Sequence, residues 1–138
     1  MQTFLPYADF DRSAQVLDNR RLGKQRSEAL TILRIVDNRT EKRGWRTHPA
    51  VLMWQGYAEA LKLYMNACIK QWVARGFENR IPLERVNHKR LVLPWWLGRE
   101  ELHSSHRANL LRKDPNFYGK YGWNEDPTMQ YWWPSKHS

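Results

Sequence analysis

The segment from Leu102 to Lys113, LHSSHRANLLRK, gathers side chains that move protons and hold phosphates. His103, His106 and Arg107, then Lys113, fall on adjoining turns if the segment is helical, so two imidazoles and a guanidinium share one side. Imidazoles placed this way can serve as acid–base groups. They can donate to phosphates beside Arg107, Arg112 and Lys113, or sit buried and tie helices together through Ser105 and Asn109. They could also ligate a metal with His48, but spacing places no acidic or cysteine partner beside them. A second cluster, Arg20, Arg21, Lys24 and Arg26, spans two turns near the start of the chain. Guanidinium groups match phosphate oxygens bidentately. Asp18, three residues before Arg21, equally suits an ordinary ion pair on a helix surface.

The elements that must position these groups read as all-α: one domain over residues 1–138, with three main helices and long aromatic-rich loops. After an extended start, Asp9 or Asp11 caps a helix running to about Val36, with Phe10, Ala14 and Leu17 and later Ala29, Leu30, Leu33 and Val36 as its apolar stripe. Its middle breaks the pattern. Arg21, Lys24, Gln25 and Glu28 occupy positions that should continue the buried stripe, which predicts a polar site beneath the helix centre; a solvated bend at Gly23 is the alternative. Residues 38–46, NRTEKRGWR, form a basic loop ending in Arg46. The second helix opens at Thr47 or His48 with Pro49 in its first turn, and Arg75-Gly76 closes it. The third runs from about Arg99 to Lys113, with acidic residues first and basic residues last, as its dipole favours, and Asp114-Pro115 stops it. The remainder, carrying Tyr118 and Lys120, is rich in glycine and aromatic residues.

Composition agrees with a polyanion partner. The 138 residues carry a formal net charge of +9 and eight tryptophans. Excess cations attract nucleic acid, and exposed rings stack on bases or wedge between base steps. One cysteine, Cys68, leaves no disulfide within the chain and points to the cytoplasm. The N-terminus lacks the pattern of a signal peptide, and no stretch is apolar enough to span a bilayer.

LDNRRLGKQR, the proline-initiated second helix ending in ARGF, and HSSHRANLLRKDPNFYGKY together resemble the pyrimidine-dimer DNA glycosylase family, typified by a phage endonuclease V, and more closely a bacterial branch of it. The resemblance runs over most of the chain in the same order. It implies a compact helical enzyme, a monomer, that grips duplex DNA with a basic concave face and uses neither metal nor organic cofactor. It implies a glycosylase and abasic-site lyase whose nucleophile is the N-terminal α-amine, forming a Schiff base with the sugar C1′; such amines are in part neutral and nucleophilic near pH 7. Arg20 and Lys24 fall on the family's phosphate-binding positions, and Arg107 or Arg112 with Lys113 or Lys120 on its basic C-terminal set. The family's catalytic glutamate falls on Arg21 or Gly23, leaving Asp18 and Glu28 as the carboxylates on the central turns. Gln2 is large, so Met1 is retained and supplies the amine. The expected site is therefore Met1, Asp18, Arg21 and Glu28 for catalysis. DNA contacts are expected from Arg20, Lys24, Arg26, Arg46, His48, His103, His106, Arg107, Arg112, Lys113, Tyr118 and Lys120. Two other readings stay open: a non-catalytic protein that binds distorted or modified DNA, and a histidine-dependent enzyme acting on a nucleotide or RNA.

Overall fold

The computed structural model describes residues 1–41 and 44–134. Lys42 and Arg43 of the basic loop and the last four residues of the aromatic tail lie outside the described residues. Described residues form helices and no strand. The helices are α1 (Phe10–Val16), α2 (Asn19–Val36), α3 (Pro49–Leu52), α4 (Ala58–Ala74), α5 (Glu100–Lys113) and α6 (Pro115–Tyr118), with a 3-10 turn over Gly119–Tyr121.

The first helix of the sequence reading is two. Asp18 takes an extended conformation and caps α2, its carboxylate accepting the Arg21 N–H at 3.4 Å. A capping residue cannot also continue the preceding helix, so α1 ends at Val16 and the chain turns at Leu17. Gly23 produces no bend. It sits inside continuous α2 because the Trp72 ring lies where a side chain would begin, 2.9 Å from an ideal Cβ. The second helix is also divided. His48 caps α3 by accepting the Ala50 N–H at 3.0 Å, with Pro49 at the first position as expected. Gly56, at φ +84°, then turns the chain before α4 begins. Gly76, at φ +90°, closes α4. Asp114 ends α5 and caps α6, accepting the Phe117 N–H at 3.1 Å.

The core lies chiefly between α2 and α4, with Leu22, Ala29, Ile32 and Leu33 against Leu61, Tyr64, Met65 and Cys68. Trp54 and Trp96 are fully buried and meet edge to face at 4.9 Å. Each indole N–H is paired, Trp54 to Thr3 Oγ1 at 3.0 Å and Trp96 to the Met53 carbonyl at 2.9 Å. Part of the tryptophan excess is thus ordinary core, which is why composition alone overstates a nucleic-acid surface.

The extended N-terminal segment is buried among the helices without a strand partner, so side chains satisfy its backbone. Gln25 accepts the Phe4 N–H at 2.8 Å and donates to the Gln2 carbonyl at 2.9 Å. His106 accepts the Leu5 N–H at 2.9 Å, and His103 Nδ1 donates to the Leu5 carbonyl at 2.7 Å. Tyr64 donates to the Phe4 carbonyl at 2.8 Å and Arg107 to that of Pro6 at 2.7 Å. The segment is held at nearly every residue.

Candidate functional site

Positions 21, 24, 25 and 28 of α2 repeat at helical spacing and face one cavity of about 350 Å³. Met1, Gln2, Phe4, Arg20, Arg21, Lys24, Gln25, Glu28, Lys113 and Tyr131 line it. The polar middle of the helix therefore marks a polar site, as its broken stripe predicts. Phe4 and Tyr131 supply aromatic wall, with ring centroids 6.5 Å apart. Four cationic side chains face a single carboxylate, Glu28, so the cavity favours an anion.

Glu28 is fixed on one side and open on the other. Its Oε2 accepts the Gln2 N–H at 3.2 Å and the Gln25 amide at 3.3 Å. Its Oε1 has Lys24 Nζ at 3.6 Å, but that lysine is 70% exposed, so the pair is loose and screened. The bond from Gln2 sets the carboxylate one residue from the chain's amine. His48 lies close enough to feel both groups: burial, then the charge of the Met1 ammonium, push its imidazole below the usual histidine range, and Glu28 partly opposes them. Because Nδ1 caps α3, neutral His48 presents Nε2–H as a donor rather than a base.

Of the residues expected from sequence, Met1, Arg20, Arg21, Lys24, Glu28 and Lys113 meet at this cavity. Others stand elsewhere, each for a physical reason. Asp18 does not line the cavity; it is held by Arg21 at 3.1 Å and by the Tyr118 hydroxyl, which draws the carboxyl below its usual range against the effect of burial. Tyr118 is fully buried, and its oxygen also accepts the Asp18 N–H at 3.0 Å. His103 and His106 are 3% and 0% exposed and hold Leu5, which corrects the expectation that they touch phosphate. Arg26 stacks over Trp72 at 4.4 Å and donates to Asn79 at 2.6 Å. Arg107 is spent on Pro6, Glu100 and Glu125. Arg112 donates to the Pro127 carbonyl at 2.8 Å, and Lys120 lies over the Phe117 ring at 3.9 Å. Arg46 donates to the Thr40 carbonyl at 3.1 Å. Among the described residues, no three histidine, cysteine, aspartate or glutamate side chains are arranged to hold a metal ion.

Sequence reasoning missed Gln2, Phe4 and Tyr131 as lining residues. Gln25 was visible as a polar residue in an apolar phase. Tyr131 had no local signal, since it reaches the cavity from the far end of the chain.

A profile of the pyrimidine dimer DNA glycosylases matches residues 1–85, more than half of the chain. The chain belongs to the pyrimidine dimer DNA glycosylase family. No curated protein and no solved structure matches it. The matched span contains the N-terminal segment and α1 to α4, hence Met1 and the whole α2 face of the cavity. Membership supports DNA-repair glycosylase activity and a DNA substrate. No helix among the described residues is long and apolar enough to cross a membrane.

Proposed function

We propose that this glycosylase works through the α-amine of Met1, with Glu28 as the carboxylate that handles protons beside it. The observation that carries this reading is that the chain's first residues are clamped into a cationic cavity with Glu28 bound to the Gln2 N–H at 3.2 Å. A buried glutamine, two buried histidines, a tyrosine and an arginine are committed to that clamp. Such outlay fixes where the amine stands, and fixed placement of a nucleophile is a large part of catalysis.

In this mechanism the neutral amine attacks C1′ of the damaged nucleotide. The glycosidic bond breaks, and the base leaves with its electron pair and takes up a proton. Nitrogen then loses a proton and the C1′–O4′ bond breaks, O4′ leaving with its electron pair and taking up a proton, which gives the Schiff base. Removal of a C2′ proton then permits loss of the 3′ phosphate, which is the abasic-site lyase step. Glu28 Oε1 is the acceptor and donor for these transfers. Arg20, Arg21, Lys24 and Lys113 hold the flanking phosphates, and the aromatic wall receives the opened nucleotide. The protein acts on duplex DNA as a monomer; the buried, unpaired Cys68, its thiol pushed up to about 12 by burial, suits a reducing cytoplasm.

Borohydride trapping on a duplex with one abasic site tests the reading. Wild-type protein forms a covalent adduct. Glu28→Gln, which keeps an acceptor for the Gln2 N–H, forms it at least ~100-fold more slowly, in line with the usual worth of a positioned acid–base group. Equal rates would remove Glu28 from the mechanism, and no wild-type adduct would remove the amine.

A further inference from the structure

Trp45 is the most exposed tryptophan, with 60% of its surface in solvent. Its backbone lies at φ +74°, a left-handed conformation that a side chain disfavours and glycine accepts. The loop thus places an indole where glycine would be easiest. Strain of this kind persists where surrounding structure holds it, and it gathers at functional sites.

The surroundings point the same way. The Trp45 ring meets His48 edge-on at 5.8 Å, and His48 meets Trp133 at 6.1 Å. Trp133 in turn lies 5.7 Å from Tyr131, which lines the cavity. Rings from the 38–46 loop, the start of α3 and the C-terminal tail therefore form one row leading from solvent to the cavity wall. The edge contact with His48 leaves most of the indole uncovered. Beside a cavity that favours anions, on a chain of net charge +9, a bare indole fits the face of a nucleobase.

We propose that Trp45 is a base-stacking residue: where the duplex is opened at the reacting nucleotide, its indole lies against an exposed nucleobase. The proposal rests on the amine reading for the place at which the duplex opens. It predicts a preference for opened DNA that the phosphate-binding cations cannot supply, because every paired duplex offers the same phosphates.

Equilibrium binding to two labelled duplexes tests it. In one, 2-aminopurine stands opposite a tetrahydrofuran abasic analogue; in the other it is paired with thymine. Wild-type protein prefers the first. Trp45→Gly, which suits the left-handed backbone and so keeps the fold, loses about tenfold in affinity for the opened duplex and less than twofold for the paired one. Trp45→Phe keeps most of the preference. Equal losses on both duplexes, no loss on either, or a Trp45→Phe protein that behaves like Trp45→Gly would overturn the proposal. Neither duplex can form a Schiff base, so failure of the amine mechanism shows separately, as an absent borohydride adduct on a true abasic site.

Discussion

His103 and His106 each commit one ring nitrogen, Nδ1, to a single residue, Leu5. His103 donates to its carbonyl and His106 accepts its N–H. His106 must stay neutral to accept at Nδ1, and His103 must stay neutral to accept the Gly98 N–H at Nε2; burial depresses both, His106 to about 3. A histidine depressed in the folded state and near 6.5 when unfolded contributes fully above pH 6.5. That contribution is lost as pH falls from there toward 3, at about 1.4 kcal/mol per pH unit. Denaturant unfolding at pH 7 and pH 5 should show wild type losing roughly 2 kcal/mol to His106 over the interval. His106→Gln keeps an acceptor without the titration and should lose less than half as much; an equal loss would place the acid sensitivity elsewhere. From sequence these two histidines fitted phosphate contact as well as burial. Spacing puts them on one side of α5, but only the tertiary path of residues 2–7 decides what that side faces.

At the scale of elements, the caps were legible and the breaks were not. His48, Pro49, Gly76 and Asp114 act where their chemistry places them. The turn at Leu17 was hidden because the polar interruption from Arg21 to Glu28 reads as a site within one helix, and Asp18 reads as an ion-pair partner of Arg21 or a catalytic carboxylate. Gly23 shows the same limit. It reads as a weak point in a helix, yet it is the place where α2 and the Trp72 ring meet. That ring cannot retreat freely, since it stacks on Phe77 at 4.3 Å, carries Arg26 and donates to the Glu78 carbonyl at 2.8 Å. Gly23→Ala should therefore cost about 1–3 kcal/mol by overpacking, outweighing the ~1 kcal/mol that alanine gains in an open helix. Thermal melting reads the sign directly: a raised melting temperature would mean that Trp72 yields.

Over the whole molecule, the positive charge falls into two uses. Arg26, Arg107 and Arg112 hold the fold together, while Arg20, Arg21, Lys24 and Lys113 line the cavity. Sequence shows the sum of these charges but not the division, because a guanidinium that binds carbonyls and one that waits for phosphate look alike in a chain. Replacing Arg20 and Lys24 together should flatten the salt dependence of duplex binding by about two units in log–log slope. An unchanged slope would set the DNA path away from α2. The cavity also holds amines that compete for the central role, since Lys24 and Lys113 line it with Met1. Peptide mapping of the borohydride-reduced adduct by mass spectrometry separates them. The amine mechanism predicts the sugar remnant on the α-nitrogen of Met1; a remnant on Lys24 or Lys113 would contradict it.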